Sequence, residues 1–350
     1  MARLRRADCA GPGIRRRRRG KGFEYIDGDG RRVTEPSVIQ RIQELAIPPA
    51  WEDVWICPYP MGHIQATGTD AAGRKQYRYH DKWRERRDAE KFEEMIDFAR
   101  ALPRLRERVA KDIRRPGMPR EKVLAVAMRL LDRGFFRIGS ENYAEENDTY
   151  GIATMGKRHV TISGDRVTFD YEAKGGKRRI QSIGDPELAK VAQTLKKRRG
   201  GGEELLAYKE GRRWHDVRSE DINAYLKDAT SEEFSAKDFR TWNATVLAAV
   251  GMSVSGPVAA TPAGRDRAIV RAVKEGAHYL GNTPAVCRAS YIDPRVFDAY
   301  RAGLVIGKPL QEALDANDGE LPIHHRALEE AVLDLINERE RSAGLEKVAA

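Results

Sequence analysis

The spacing of apolar residues changes near residue 88, and this change constrains the fold more than any other feature of the sequence. Before it, short apolar stretches alternate with turn signals such as Asp27-Gly28-Asp29-Gly30, a pattern typical of strands and hairpins. After it, apolar residues recur at spacings of three and four, the period of amphipathic helices. The sequence therefore predicts an α+β protein with a small β-rich N-terminal domain over residues 23–88 and a larger, mainly helical domain over residues 89–350.

The helical part is interrupted once by β-like sequence. Helices are predicted over residues 89–102, 104–115 and 120–133, with Pro103 separating the first two. Further along, three short stretches predict a compact β-meander, at residues 160–162, 167–171 and 178–183. The turn between the last two holds Lys174 beside two glycines. A lysine in such a turn is usually a solvent-exposed residue that aids solubility.

Basic residues are concentrated at the N-terminus. The net charge is +10, and residues 1–22 carry eight arginines and Lys21 against Asp8. We expect this segment to be a disordered arm, which gains affinity for nucleic acid by releasing counterions. A run of charge is more often only a solvated face, so both interpretations remain open.

Composition excludes several classes of protein. Cys9, Cys57 and Cys287 lie far apart without a C-x-x-C pair, so neither a zinc site nor a disulfide framework is predicted. No apolar run approaches ~20 residues, as a membrane span would require. The sequence also lacks a P-loop and a GxGxxG motif. We therefore expect a cytoplasmic protein that binds no nucleotide, metal or other cofactor.

Residues 74–80 are the most suggestive part of the β-rich domain. As a strand, they alternate between two faces, with Lys75, Tyr77 and Tyr79 on one and Gln76, Arg78 and His80 on the other. Cationic, amide and aromatic side chains in such a ribbon can contact phosphates and base edges in a DNA groove. A cross-strand aromatic pair in an ordinary sheet is an equally good interpretation of the segment alone.

A tyrosine near the C-terminal end has an unusual setting. Thr283-Pro284 predicts a helix start and Asp293-Pro294 its end, so Tyr291 lies at the end of a short rigid helix, beyond Asn282. Tyrosine can act as a covalent nucleophile, but its pKa near ~10 makes it weak until its surroundings activate it. An isolated tyrosine is far more often a half-buried aromatic residue.

Two arginines complete a set that suits phosphoryl transfer. Arg137 lies between apolar neighbours. A guanidinium group in this setting either forms a buried ion pair or binds a phosphate. Arg240 falls in the second turn of a helix that Ser235 and Asp238 open with a capping box. When a tyrosine oxygen attacks a phosphodiester without a metal ion, paired guanidinium groups neutralise the phosphate charge. A lysine is better suited than arginine to protonate the leaving oxygen.

These motifs resemble the type IB DNA topoisomerases, in the compact form found in poxviruses and bacteria. The resemblance extends from about residue 23 to residue 304. It assigns catalytic roles to Arg137 in F-F-R-I-G, Lys174 in Y-E-A-K-G-G-K, Arg240 in K-D-F-R-T-W and Tyr291 in C-R-A-S-Y-I-D-P. It also implies DNA contacts by Lys75, Gln76, Tyr77, Tyr79, Tyr143 and Lys237.

The resemblance implies the fold, the reaction and the partner. The fold would be that of the tyrosine recombinases and type IB topoisomerases. The enzyme would relax supercoiled duplex DNA through a 3′-phosphotyrosyl intermediate, strand rotation and religation, without ATP or metal. It would act as a nucleoid-associated monomer that closes as a clamp on double-stranded DNA.

One position departs from the pattern. Nine residues before the nucleophile, the poxvirus enzymes carry a histidine where this chain has Asn282. An amide can donate a hydrogen bond to a nonbridging oxygen but carries no charge. We therefore expect Asn282 to act as a donor with less transition-state stabilisation.

Two other functions share some of these features. A tyrosine recombinase has the same Arg–Lys–Arg–Tyr set, but usually carries a histidine where this chain has Lys237, and its N-terminal domain is usually helical. A noncatalytic nucleoid protein would explain the charge, but not the spacing of the catalytic set.

Overall fold

A five-stranded antiparallel sheet forms the N-terminal part of the protein. The computed structural model describes residues 3–139, 149–256, 261–315, 324–338 and 342–348. The chain divides into two units, Met1–Glu93 and Glu94–Ala350. The sheet of the first unit has the order β2-β1-β3-β4-β5. Its strands are β1 (Ile14–Arg19), β2 (Gly22–Ile26), β3 (Glu52–Ile56), β4 (Ile64–Thr69) and β5 (Lys75–Tyr79).

A single short helix covers one face of this sheet. Helix α1 (Pro36–Glu44) buries Ile42 against Ile14, Val54 and Ile56. Because side chains alternate along a strand, residues that face α1 are apolar while their neighbours face the opposite side.

The prediction of a disordered arm over residues 1–22 is wrong for β1. Ile14 is buried, and the strand pairs with β2 across a turn in which Gly20 has a φ of +57°. The Arg16 guanidinium also donates to the carbonyls of Ile47, Pro48 and Trp51, at 3.3, 3.0 and 2.6 Å. Backbone pairing and these contacts offset the repulsion between adjacent arginines, which composition alone does not reveal.

The second unit is mainly helical, as predicted. Among its described residues, α3 to α6 are Arg120–Gly134, Pro186–Lys197, Ser219–Thr230 and Ala236–Ser255. Helices α7 to α11 are Pro262–Leu280, Pro284–Ser290, Pro294–Arg301, Lys308–Asp315 and Arg326–Ile336. Helix α6 is buried along most of its length and forms the centre of this unit. The predicted α+β class is confirmed.

The predicted break at Pro103 is wrong. Helix α2 runs without interruption over Asp81–Asp112, with Pro103 inside it. Proline costs ~3 kcal/mol in a helix interior. On both sides of Pro103, however, Phe98, Leu102 and Leu105 are fully buried, and a break would separate them.

The predicted meander is present and holds the turn with Lys174. Strands β6 (Val160–Ser163), β7 (Arg166–Ala173) and β8 (Lys177–Gly184) form an antiparallel sheet in sequence order. Two small two-stranded sheets escaped prediction, because strands of three or four residues have little periodicity. They are β9 (Ala207–Glu210) with β10 (Arg213–Asp216), and β11 (Leu304–Ile306) with β12 (Leu345–Lys347).

The helices of the described segments differ from membrane-spanning helices in length or in polarity. None of them is both long enough and apolar enough to cross a membrane.

Candidate active site

Arg137 lies just beyond the C-terminus of α3. The helix ends at Phe135, whose left-handed backbone (φ 55°) is strained for a bulky residue. The Arg137 carbonyl then accepts a hydrogen bond from the Ile152 amide at 2.9 Å, and the Ile138 carbonyl accepts one from Ala153 at 2.8 Å. Two hydrogen bonds from one neighbouring segment therefore hold the backbone that carries the Arg137 side chain.

Lys174 lies at the tip of the β7–β8 hairpin. Gly175 and Gly176, which follow it in the turn, have φ of +86° and +68°. Only glycine adopts such angles readily, so the tight reversal requires these residues. The reversal leaves the Lys174 side chain exposed at the rim of a cleft.

Arg240 is buried in the second turn of α6, with 4% of its surface exposed. Its Nη1 donates to the Phe135 carbonyl at 2.9 Å and its Nη2 to the Leu280 carbonyl at 3.0 Å. The guanidinium group thus joins the C-terminal ends of α3 and α7. It also lies against the Tyr291 ring, with 5.1 Å between Cζ and the ring centroid.

Tyr291 follows α8 as predicted. Thr283 caps this helix by accepting a hydrogen bond from the Val286 amide, and Pro284 occupies its first turn. The Tyr291 amide donates to the Cys287 carbonyl at 3.0 Å, and its carbonyl accepts from Thr245 Oγ1 at 3.3 Å. The phenol is half-buried on a backbone anchored to α6.

Asn282 contacts Arg137 directly. Arg137 Nη2 donates to Asn282 Oδ1 at 2.6 Å. Because arginine has only donors, the amide oxygen of Asn282 must face it, and the NH₂ group points away. Among the described residues, neither Asn282 Nδ2 nor Arg240 Nε has a hydrogen-bond partner, although both are buried. Each buried donor without a partner costs ~1–3 kcal/mol. Such donors are typical of a binding site whose ligand supplies the hydrogen-bond acceptor.

Arg137, Lys174 and Asn282 line a cleft of about 270 Å³ that is strongly cationic. Tyr291 is not among its described lining residues, and Arg240 adjoins it through Leu280, which lines it. None of the described residues that line the cleft carries a carboxylate. Such a cleft attracts anions, and its guanidinium and amide groups match the oxygens of a phosphate.

The positive charges affect the acidity of the site. Burial opposes ionisation of Tyr291, but the charge and close contact of Arg240, with the effects of Arg137 and Asn282, together outweigh it and lower the pKa of the phenol below its usual value. Burial and repulsion by Arg137 lower the pKa of Arg240 to about 10. Arg240 therefore remains protonated at neutral pH, while the phenol is more acidic than an ordinary tyrosine.

Arg179, which lines the cleft, was not among the predicted site residues. Arg179 on β8 donates from Nη1 to the His278 carbonyl at 3.2 Å and from Nη2 to the Tyr279 carbonyl at 2.5 Å. It therefore joins the hairpin that carries Lys174 to the end of α7, just before Asn282. Alternation along β8 places Arg179 on the same face as the buried Ile183, which is the signal in the sequence that could have identified it.

The predicted DNA-contacting residues lie in three different parts of the chain. Lys237 is exposed in the first turn of α6 and is not one of the described residues that line the cleft. Tyr143 lies outside the described residues. In the N-terminal unit, Tyr77 and Tyr79 are exposed with their rings stacked 6.0 Å apart, and Lys75 Nζ lies 5.8 Å from the Tyr77 ring centroid.

Gln76 lies on the opposite face of β5 from these tyrosines. Its amide donates to Asp70 Oδ2 at 2.9 Å. The alternation predicted for this strand is therefore present, while its contacts with DNA remain predictions.

The described residues offer no cluster of the usual metal-binding side chains. They contain no group of three or more His, Cys, Asp or Glu side chains arranged to hold a metal ion.

The chain is similar to known proteins over most of its length. A family model described as "Eukaryotic DNA topoisomerase I, catalytic core" matches residues 80–320. A second, described as "Bacterial DNA topoisomerase IB, N-terminal domain", matches residues 22–70.

Individual relatives agree with the family models. DNA topoisomerase 1B of Acanthamoeba polyphaga mimivirus is 32% identical over 304 residues, which cover 83% of this chain and 88% of the relative. DNA topoisomerase 1B of Vaccinia virus is 28% identical over 107 residues, or 31% of this chain and 34% of the relative. DNA topoisomerase 1 of Candidozyma auris is 29% identical over 161 residues, or 45% of this chain and 20% of the relative.

Proposed function

Since this chain belongs to the type IB DNA topoisomerases and its N-terminal domain is of the bacterial type, we propose that Tyr291, Arg137, Lys174, Arg240 and Asn282 carry out its reaction. The family relaxes supercoiled duplex DNA by nicking and rejoining one strand. The proposal concerns which side chain performs each step.

Tyr291 is the nucleophile. Its Oη forms a bond to the scissile phosphorus, and the bond from phosphorus to the 5′-oxygen breaks, leaving a 3′-phosphotyrosyl link. The lowered pKa of the phenol favours this attack, because more of the reactive phenolate is present at neutral pH. After strand rotation, the free 5′-hydroxyl attacks the same phosphorus and releases Tyr291.

The cations and the amide stabilise the transition state. Arg137 and Arg240 neutralise the charge on the nonbridging oxygens, and Asn282 Nδ2 donates to one of them. Lys174 protonates the departing 5′-oxygen. Because the phosphotyrosyl bond retains the energy of the broken bond, the chemistry requires neither ATP nor a metal ion.

One observation carries this assignment. The buried donors Asn282 Nδ2 and Arg240 Nε lack partners among the described residues and belong to the same side chains that contact Arg137 and Tyr291. A phosphate oxygen placed beside the phenol would supply the missing acceptor.

The remaining residues are proposed to hold the duplex. Lys75, Gln76, Tyr77 and Tyr79 would contact the major groove, while Tyr143 and Lys237 would contact DNA near the catalytic residues. We further propose a monomer whose two units close as a clamp on DNA, and a cytoplasmic, nucleoid-associated location. The net charge of +10 supports binding to the polyanion.

Relaxation of supercoiled plasmid in EDTA tests the proposal. The wild-type protein should relax the plasmid and form a covalent DNA adduct. Tyr291→Phe should do neither, while its affinity for duplex DNA stays nearly unchanged. Relaxation or adduct formation by Tyr291→Phe would show that another residue is the nucleophile.

A further inference from the structure

The first strand of the N-terminal sheet carries exposed arginines on a defined face. Arg15, Arg17 and Arg19 alternate with Arg16 and Arg18 along β1. Arg16 faces α1, since it contacts the carbonyls of Ile47, Pro48 and Trp51. Arg15 and Arg17 therefore point to the opposite side, and both are exposed.

Strand register shows that this face is the one that carries Tyr77. Residues directly opposite each other on neighbouring strands share a face. Arg15 opposes Trp55, Trp55 opposes Thr67, and Thr67 opposes Tyr77. One row across four strands thus leads from the arginines of β1 to the exposed tyrosines of β5.

The middle of this row is covered by the chain itself. Trp55 is only 2% exposed, and its Nε1 donates to the Gly11 carbonyl at 3.2 Å. The groups left exposed on this face therefore form two parallel strips, the arginines of β1 and the Lys75–Tyr77–Tyr79 face of β5. Three strand spacings separate them by about 14 Å. Beyond β1, Glu24 of the edge strand β2 lies directly opposite Arg17.

We propose that Arg15 and Arg17 bind the phosphate backbone of the duplex whose major groove receives β5. This inference rests on the proposed function of β5. The major groove is about 12 Å wide, so a cationic strand about 14 Å away meets the backbone that borders the groove. Arg19 adds less, because its charge is partly neutralised by Glu24 at 3.6 Å.

The salt dependence of DNA binding tests this surface. In the full-length Tyr291→Phe background, Arg17→Gln should reduce the slope of log K against log salt by about one, as should Arg15→Gln, and the double variant by about two. Arg18→Gln is the matched control, because it removes the same charge from an exposed neighbour on the other face. Its slope should equal that of the parent.

Two further measurements separate the possible outcomes. Arg17→Lys should restore the slope, which distinguishes loss of charge from loss of folding. Equal changes for Arg17→Gln and Arg18→Gln, or no change for Arg17→Gln, would overturn the proposed surface. Covalent adduct formation by the wild-type protein on the same duplex is scored separately, and its absence would contradict the proposed function instead.

Discussion

Arg137 and Asn282, which are 145 residues apart in the sequence, are joined by a hydrogen bond of 2.6 Å from Nη2 to Oδ1. The bond turns the amide NH₂ of Asn282 away from Arg137 and leaves it without a partner among the described residues. We predict that this neutral amide, which takes the place of the histidine that the resemblance implies, donates to a phosphate oxygen.

Removing this donor should slow strand cleavage. We expect Asn282→Ala to lower the single-turnover cleavage rate about 100-fold, the usual effect of losing one oxyanion donor. Asn282→Asp should be slower still, because its carboxylate both repels the nonbridging oxygens and neutralises Arg137. Cleavage of a nicked suicide substrate measures both rates. An Asn282→Asp variant within threefold of wild type would show that residue 282 does not face the phosphate.

Lys174 is expected to act as a general acid. Lys174→Ala should slow cleavage by 100-fold or more, within the range that proton transfer contributes. A substrate with a 5′-thiolate leaving group needs little protonation, so it should restore the rate of this variant. Lys177→Ala, at the other end of the same turn, should show no selective rescue. Equal slowing of Lys174→Ala on both substrates would remove Lys174 from the acid role.

Arg179 is a positioning residue. Because it joins the Lys174 hairpin to the end of α7, Arg179→Gln should lower the cleavage rate through displacement of Asn282. A double-mutant cycle with Asn282→Ala should then give a coupling energy above about 0.5 kcal/mol. Arg178→Gln is the control, since Arg178 instead pairs with Asp170 at 2.7 Å. Additive effects for Arg179 would indicate that it acts independently of Asn282.

Features with local causes were predictable from the sequence. The start of helix α4 has such a cause, because Asp185 caps it by accepting a hydrogen bond from the Leu188 amide. The Thr283 cap, the Ser235–Asp238 box and the glycine turn after Lys174 are equally local. From these local signals the sequence predicted which helix or turn carries each of Tyr291, Arg240 and Lys174.

Features that depend on distant contacts were not predictable. Arg179 donates to carbonyl groups 99 and 100 residues away. Because every residue has a backbone carbonyl, the residue types at these positions do not indicate the contact. Arg16 looks like one member of a charged run, yet it binds three carbonyls near α1. Pro103 signals a helix end, but burial of its neighbours outweighs its cost.

The acidity of Tyr291 should depend on Arg240. Burial is the largest single effect and raises the pKa of the phenol, but Arg240, Arg137 and Asn282 together lower it by more. The wild-type cleavage rate should therefore level off at a pH below the usual tyrosine pKa of about 10. In Arg240→Gln burial is opposed by the weaker effects of Arg137 and Asn282, so the inflection should move to higher pH, whereas Arg240→Lys should move it less. An inflection that is unchanged in Arg240→Gln would contradict this coupling.

Helix α2 is joined to the C-terminal helix by a buried ion cluster, and this cluster should dominate the stability of the helical unit. Arg106 donates to Asp132 Oδ2 at 2.9 Å and to Glu329 Oε1 at 2.8 Å, and Trp242 Nε1 donates to the same Glu329 oxygen at 3.0 Å. Arg106→Met removes the cation that is hydrogen-bonded to both buried carboxylates, which costs about 3–5 kcal/mol. Arg100→Met removes an exposed pair with Asp97 and should cost less than about 1 kcal/mol.

The pH dependence of this loss distinguishes charge from packing. In the wild type, burial raises the pKa of Asp132, but the charge and hydrogen bond of Arg106, with the charges of His324 and Arg133, together lower it by more, so Asp132 stabilises the fold above its unfolded pKa of about 4 and less at lower pH. Without Arg106, burial is opposed only by the weaker effects of His324 and Arg133, so the buried carboxyl is better tolerated when protonated. The stability deficit of Arg106→Met should therefore be largest near neutral pH and shrink toward about pH 4. Urea unfolding followed by tryptophan fluorescence measures it, and a deficit that is constant with pH would indicate that packing, rather than the ion cluster, was lost.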